Sequence, residues 1–366
     1  MNDLAALEHK VRTGEDLLPA DLRFILSLEG DAELQRLYRL AYEVKTACVG
    51  RKVYLRGLVE VSNICSKDCY YCGIRKSNRQ TKRFRMTLAE ILAEARWSFE
   101  HNYGSVVLQS GEINSPDYAE LIEKAVAGIR ELSDGRLGMT LSLGEQSEEV
   151  YRRWFEAGAH RYLLRIESSD PTLYARLHPA DHSFTQRLEC LKTLQHLGYQ
   201  TGTGVMIGLP GQTVNHLIND LLFFRAMDID MIGMGPYIVH RETPLAEQMP
   251  EFTPERQLLM GLKMIAATRL FLKDVNIAST TALQALHPRG RELGLLAGAN
   301  VIMPNVTDVQ YRPSYQLYEN KPAINENSEQ SRLALEKSIA NIGETIAYGE
   351  WGDPRHFFAR NQSLRG

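Results

Sequence analysis

The chain has 366 residues, 44% of them hydrophobic, with 42 basic and 45 acidic side chains and a formal net charge of −3. That is enough apolar material for one large α/β domain or two ordinary ones, and the charge balance excludes the single-sign field that binds nucleic acid or an anionic membrane. No apolar run approaches the ~20 residues needed to span a bilayer, and the amino terminus lacks the basic and then apolar regions of a secretory signal, so a cytoplasmic protein is expected.

The first 50 residues read as three short helices. Leu4, Leu7 and Val11 form one apolar face, Leu22, Ile25 and Leu26 a second, and Leu34, Leu37, Ala41 and Val44 a third. This segment is expected to cap the larger domain C-terminal to it, because it is short for a core of its own. From residue 53 a βα rhythm begins. Strands are expected at 53–61, 106–109, 137–143, 162–165, 201–207, 231–234, 275–278 and 300–303. Helices are expected between them, opened by Thr87 with Glu90 as a capping box, by Ser115-Pro116, Asp170-Pro171, Ser183 and Thr253-Pro254. Eight units over about 250 residues match a TIM-type (β/α)8 barrel; a doubly wound open sheet is the other arrangement the rhythm allows. The expected organisation is an N-terminal helical extension (1–50), a barrel (51–320), and a C-terminal helix over 329–348 with a disordered, arginine-containing tail (321–366).

Three of the five cysteines fall within eight residues, Cys65-Ser-Lys-Asp-Cys69-Tyr-Tyr71-Cys72, directly after the first strand. Zinc loops usually supply four ligands as two separated pairs, but Cys48 and Cys190 are isolated. A three-thiolate loop suits a [4Fe–4S] cluster with one iron left open; a structural zinc loop is the bland alternative. Uneven spacing also rules out a disulfide framework. Basic residues Arg75-Lys76 and Lys82 to Arg85 flank the loop. They read first as a solvated surface and second as a help in binding anions or an electron donor.

In a barrel, chemistry sits where strands end and βα loops begin. There the sequence places Ser110-Gly111-Glu112, Ser142 and Glu145, and Arg165 and Glu167, with Arg187 on a following helix. Acids there can receive an ammonium group, and an arginine can clamp a carboxylate through two parallel hydrogen bonds. Residues 204–213 are glycine-rich without the GKS or GKT of a phosphate loop, and a flat backbone surface against adenine is expected. Ser279, Thr280 and Thr281, with Tyr311, Tyr315 and Tyr318, are candidates for a polar pocket that takes an anionic substrate; helix capping and surface packing are the competing reading. A lone His240 reads as structural.

The cysteine spacing, with aromatic Tyr71 before the last thiol, resembles the cluster motif of the radical S-adenosylmethionine (SAM) superfamily. Longer phrases narrow the resemblance. Arg83-Phe-Arg-Met-Thr87, Leu108 to Glu112, Thr140 to Glu145, Arg161 to Arg165, Gly208 to Thr213, Asn300 to Asn305 and Tyr315 to Tyr318 are similar to the HydE family. The resemblance implies that Cys65, Cys69 and Cys72 ligate a [4Fe–4S] cluster. It makes Tyr71, Glu112, Ser142, Glu145, Arg165, Glu167 and Arg187 candidates for SAM contacts, and Ser279, Thr280, Thr281, Tyr311 and Tyr315 candidates for the substrate pocket. It implies reductive cleavage of SAM to a 5′-deoxyadenosyl radical during assembly of the diiron part of the [FeFe]-hydrogenase active site. A small-molecule or organometallic substrate, a ferredoxin- or flavodoxin-type reductant and other hydrogenase maturases would be the partners. There are two departures: no cysteine follows Cys190, so no second cluster is expected, and Phe84 stands where the family phrase has tyrosine. Methylornithine-synthase-like and biotin-synthase-like activities are the runners-up; the second needs a further cluster, for which only Cys48 and Cys190 remain. A non-catalytic iron–sulfur scaffold comes last.

Overall fold

The computed structural model describes residues 3–248, 252–322 and 324–363. Three helices come first, α1 (Leu4–Thr13), α2 (Pro19–Ser27) and α3 (Asp31–Cys48). Eight parallel strands then form the barrel: β1 (Lys52–Ser62), β2 (Ser105–Ser110), β3 (Gly138–Ser142), β4 (Arg161–Leu163), β5 (Gln200–Thr203), β6 (Met231–Ile232), β7 (Asn276–Ile277) and β8 (Val301–Ile302). Each pairs with the next, and β8 returns to β1 through Tyr54 opposite Val301. The remaining seam, β7 to β8, is closed by Asn300 N–H on the Ile277 carbonyl (3.0 Å) and Ser279 N–H on the Val301 carbonyl (2.9 Å). The sheet is therefore a closed barrel, and the open doubly wound alternative is excluded.

Helices run where the caps placed them. Thr87 and Glu90 form the capping box of the helix Leu88–Glu100, and proline opens those at Pro116–Leu132, Pro171–Leu177 and Pro254–Leu272. The N-terminal helices share the barrel's apolar core: Leu22, Ile25, Leu37 and Ala41 belong to the same buried cluster as Leu270 and Ile277. Buried Lys263 donates to the Leu26 and Leu28 carbonyls (2.6 and 3.0 Å), satisfying the end of α2. No helix among the described residues is long and apolar enough to cross a membrane.

Two expectations need correction. The run at 201–207 is not one strand. β5 ends at Thr203, and a separate pair, Met206–Ile207 with Gly235–Pro236, forms beyond it. The break is at Gly204, where a side chain would meet the Gly233 carbonyl at 1.8 Å. The C-terminal segment is also not a helix to 348 followed by a tail. The helix Ser328–Asn341 stops before Gly343, whose φ is 74°. Thr345–Ile346 then pairs with the start of β1, and a helix Arg355–Ser363 comes after it. This strap covers the end of the barrel where strands begin. Arg161 pairs with Asp353, and Trp351 stacks on His160 at 4.5 Å. His356 bridges Asp274 (3.0 Å) and Asp228 (2.7 Å), and Arg360 reaches Asp230 (3.0 Å). Residues 364–366 of the expected tail lie outside the described residues.

Candidate cluster and cofactor site

The cysteine loop leaves the end of β1 and is held from several sides. Glu112 N–H donates to the Cys65 sulfur (3.3 Å), and Ser66 N–H donates to the Glu112 carbonyl (2.8 Å). Gly111 makes this approach possible, since a side chain there would stand 2.3 Å from the Ile64 carbonyl and 2.7 Å from Cys65 Cβ. On the other side, Tyr70 N–H reaches the Leu177 carbonyl (2.9 Å) and Gly73 N–H the Leu317 carbonyl (2.9 Å). His182 Nε2 accepts from Asp68 N–H at 2.9 Å. The main staple is Arg83, whose guanidinium donates to four carbonyls: Asn63 (2.6 Å), Ile74 (2.8 Å), Arg75 (2.5 Å) and Asn78 (3.0 Å). The sequence offered Arg83 as part of a family phrase and of a solvated basic group. The structure gives it a task, which is to fix both ends of the loop.

Burial raises the pKa of all three thiols. Cys69 is pushed up to about 12 by burial, with the Cys65 charge adding to it against Arg187, and Cys72 is pushed up by burial with both neighbouring thiols opposing its ionisation. Three thiolates here require a cationic centre to hold them. A mononuclear ion would need its ligands to converge on one point, and among the described residues no three His, Cys, Asp or Glu side chains do so. A cluster takes one thiolate on each of three irons, which is a wider spacing.

Beside the loop lies a set of linked charges. Glu145 accepts from Arg187 Nε (2.5 Å) and from Lys67 Nζ (2.9 Å), and Lys67 also stands 3.5 Å from Glu112. Burial and the charge of Glu145 push the Glu112 carboxyl up; burial would also raise Glu145, but Arg187 and Lys67 hold it below the usual range. Lys67 lies between two of the cysteines, and sequence reasoning passed over it. Arg187 also donates to the Arg165 carbonyl (2.9 Å), tying the ends of β3 and β4 together. Arg165 donates to the Val205 carbonyl (2.8 Å) and pairs with Glu167 at 3.0 Å, yet Arg165 Nε and Glu167 Oε2 are buried without an aligned hydrogen bond. Glu167 has φ 63°, a left-handed conformation that a non-glycine residue adopts at a cost of order 1 kcal/mol or more.

These groups open on a cavity of about 330 Å³. Cys65, Cys69, Cys72, Tyr71, Glu112, Ser142, Arg165, Glu167 and Arg187 line it. Glu145 stands one layer behind, gripping Arg187. The Tyr71 hydroxyl is 3.3 Å from His178 Nε2. At the far side are Ser279, Thr280, Thr281 and Tyr315, with two residues the sequence reading missed, Glu60 and Lys321. Lys321 pairs with Glu60 and donates to the Tyr315 carbonyl (2.9 Å). Thr280 Oγ1 is buried without a partner, whereas the Ser279 hydroxyl is spent on the Arg291 carbonyl (2.8 Å).

One expectation is corrected and another narrowed. Tyr311 does not line the cavity: its hydroxyl donates to Glu90 (2.6 Å) and its ring stacks on Phe84 at 4.6 Å. Phe84 thus packs a tyrosine rather than facing a ligand. In the glycine-rich 204–213 stretch only Met206 lines the cavity, and Gln212 folds the 208–212 part on itself by accepting from Gly208 N–H (2.7 Å) and donating to the Met206 carbonyl (2.9 Å). The cavity wall there is Met206 with residues 235–238. His240 sits against Gly73, as a structural residue would.

Three thiols without a fourth, set at the mouth of a barrel beside a cavity, are the arrangement of the radical SAM class, and the model of the radical SAM superfamily matches residues 59–224. Over 357 residues the chain is 43% identical to the [FeFe] hydrogenase maturase subunit HydE of Thermotoga maritima, covering 97% of each chain. It belongs to the HydE family of radical SAM enzymes. A 3-methylornithine synthase of Methanosarcina acetivorans is 27% identical over 302 residues, 82% of this chain and 83% of that one. The solved structure of methylornithine synthase (PylB) superposes with a TM-score of 0.79 at 25% identity, covering 98% of this chain and 99% of the other. As a member of this class the chain uses a [4Fe–4S] cluster and SAM, and acts on a small-molecule substrate with a supply of electrons.

The residues present fit those groups. The three partly buried thiols line one cavity, the cavity falls in the size range that holds a small cofactor, and buried polar atoms of Arg165, Glu167 and Thr280 have no aligned partner within the protein.

Proposed function

We propose that this protein is a cytoplasmic hydrogenase maturase, which reductively cleaves SAM to modify an iron-bearing small molecule on the way to the diiron part of the [FeFe]-hydrogenase active site. The observation that carries this reading is the 43% identity to a HydE over nearly the whole chain. Cys65, Cys69 and Cys72 would hold the cluster, and Glu112 would take the SAM ammonium, a place now shared with Lys67. Arg165, Glu167, Ser142 and Tyr71 would position the rest of SAM, with Arg187 and Glu145 as the brace behind them. When bound, the reduced cluster supplies one electron that breaks the C5′–S bond of SAM, giving methionine and a 5′-deoxyadenosyl radical. Closure of the barrel excludes water from that radical. Ser279, Thr280, Thr281, Tyr315, Glu60 and Lys321 would bind the substrate, and other maturases would deliver or receive it.

The test is anaerobic reconstitution with iron and sulfide, then addition of dithionite and SAM. The expected result is about four irons per chain and 5′-deoxyadenosine. Addition to a maturation mixture lacking its HydE should restore hydrogenase activity. Conversion of lysine to methylornithine instead would assign the chain to the second set of relatives.

A further inference from the structure

We propose that residues 74–85, with Ile64 at their edge, form the docking face for a small acidic one-electron carrier protein. The proposal rests on the radical SAM reading, which requires electrons to reach the cysteine loop. Between Cys69 and Ala89 the chain has Arg75, Lys76, Arg79, Lys82, Arg83 and Arg85 and no acid, within a protein whose net charge is −3. The structure sorts these cations. Arg83 is turned inward onto four carbonyls, Arg75 pairs with Asp68 (2.8 Å) and Arg85 with Asp117 (2.7 Å). Lys76, Arg79 and Lys82 are exposed, and no acidic side chain among the described residues pairs with them.

The face is joined to the thiols by short covalent and hydrogen-bonded paths. Lys76 N–H donates to the Lys67 carbonyl inside the cysteine loop (2.8 Å). The Lys82 carbonyl accepts from Asn63 Nδ2 (2.8 Å), next to Ile64, and Ile64 adjoins Cys65. Ile64 is 40% exposed, a large apolar side chain beside unpaired cations. An apolar contact ringed by charge is the composition of a transient, electrostatically steered interface. Arg83 holds this surface rigid against the loop, so a docked partner meets it without reordering. In the step this serves, the reduced carrier gives up one electron and the cluster gains it, with no atom transferred.

The test compares two electron sources on the reconstituted full-length protein. K76E/R79E/K82E and, as a gentler set, K76Q/R79Q/K82Q are assayed for 5′-deoxyadenosine with dithionite and with enzymatically reduced flavodoxin; K337E is the control at a distant exposed lysine. The expected result is an unchanged dithionite rate, a flavodoxin-driven rate reduced by about tenfold in the reversal set and less in the neutral set, and a wild-type flavodoxin rate that falls as salt is added. An unchanged flavodoxin rate overturns the proposal and leaves a solvated loop. Equal loss with both donors also overturns it, making the patch structural. If wild-type protein cleaves no SAM even with dithionite, the radical SAM reading fails instead. Docking is then judged by salt-dependent flavodoxin binding, which the reversal set should abolish.

Discussion

Both ends of the barrel bury charged side chains but use them in different ways. At the floor, charges are spent on the protein itself: Arg161 on Asp353, Arg360 on Asp230, and Arg56 on the Gly352 carbonyl. The space left there, among Arg56, Thr140, Met231 and Asn276, is about 10 Å³, room for a single water at most. At the mouth, three thiols have their pKa values raised, Arg165 pairs with Glu167 beside the cavity, and the space is about 330 Å³. The floor is closed by a strap from the same chain; the mouth is built around something the chain does not contain. Buried charge alone does not mark a site. Buried charge beside empty volume does.

The sharpest way to break this contrast is at the thiols. Cys69→Ala should abolish 5′-deoxyadenosine formation and bring iron content close to zero while leaving the thermal midpoint of the iron-free protein nearly unchanged. Retention of a full cluster would show that the loop is not its ligand set. At the floor the pattern should invert. Asp353→Asn strands the buried Arg161 guanidinium, and removing one partner of such a pair costs about 3 kcal/mol. Denaturant melts should show that loss, with the SAM dissociation constant unchanged.

How much of this was legible in the sequence depended on range. The cysteine loop and the helix starts are local patterns, visible within eight residues or fewer; the three thiols line one cavity, and Thr87 with Glu90 caps its helix. Candidate residues at or just beyond strand ends line the cavity, as with Glu112, Ser142, Arg165 and Glu167. Tyr311 failed because the turn Arg312–Ser314 separates it from Tyr315, leaving one ring outward on Phe84 and the other inward. Lys321 and Glu60 are 261 positions apart, and no periodicity joins them. Arg83 acts on backbone carbonyls, which leave no mark in the side-chain pattern. The strap escaped notice because a strand of two residues, Thr345–Ile346, is too short to show alternation.

A milder test of the mouth concerns its acids. Glu112→Gln keeps the hydrogen bond from Glu145 N–H possible but removes the charge meant for an ammonium. SAM affinity should fall about tenfold, the value of one charge-assisted bond, with iron content preserved. Isothermal titration of the reconstituted protein reads the affinity, and an iron assay the cluster. An unchanged dissociation constant would place the SAM ammonium elsewhere in the cavity.

The smallest effect expected is at the floor, and it depends on pH. Hydrogen bonding to Asp274 raises His356 to about 9 against the opposing pull of burial, with Asp228 adding to the rise, from an ordinary value of 6.5. A folded-state pKa above the unfolded one means that the protonated imidazole stabilises the fold. That contribution is complete below pH 6.5 and is lost as pH climbs through about 9. Since Asp228 is half exposed, solvent screens the pair, and the loss is on the order of 1 kcal/mol. Amide hydrogen exchange across residues 355–361, corrected for its intrinsic pH dependence, should therefore quicken between about pH 6.5 and 9, the window between the unfolded and folded imidazole pKa values. His356→Gln should flatten that dependence while leaving exchange in the cysteine loop as it was. If the loop loosened together with the strap, the two ends of the barrel would be coupled, and the division between a filled floor and an open mouth would have to be abandoned.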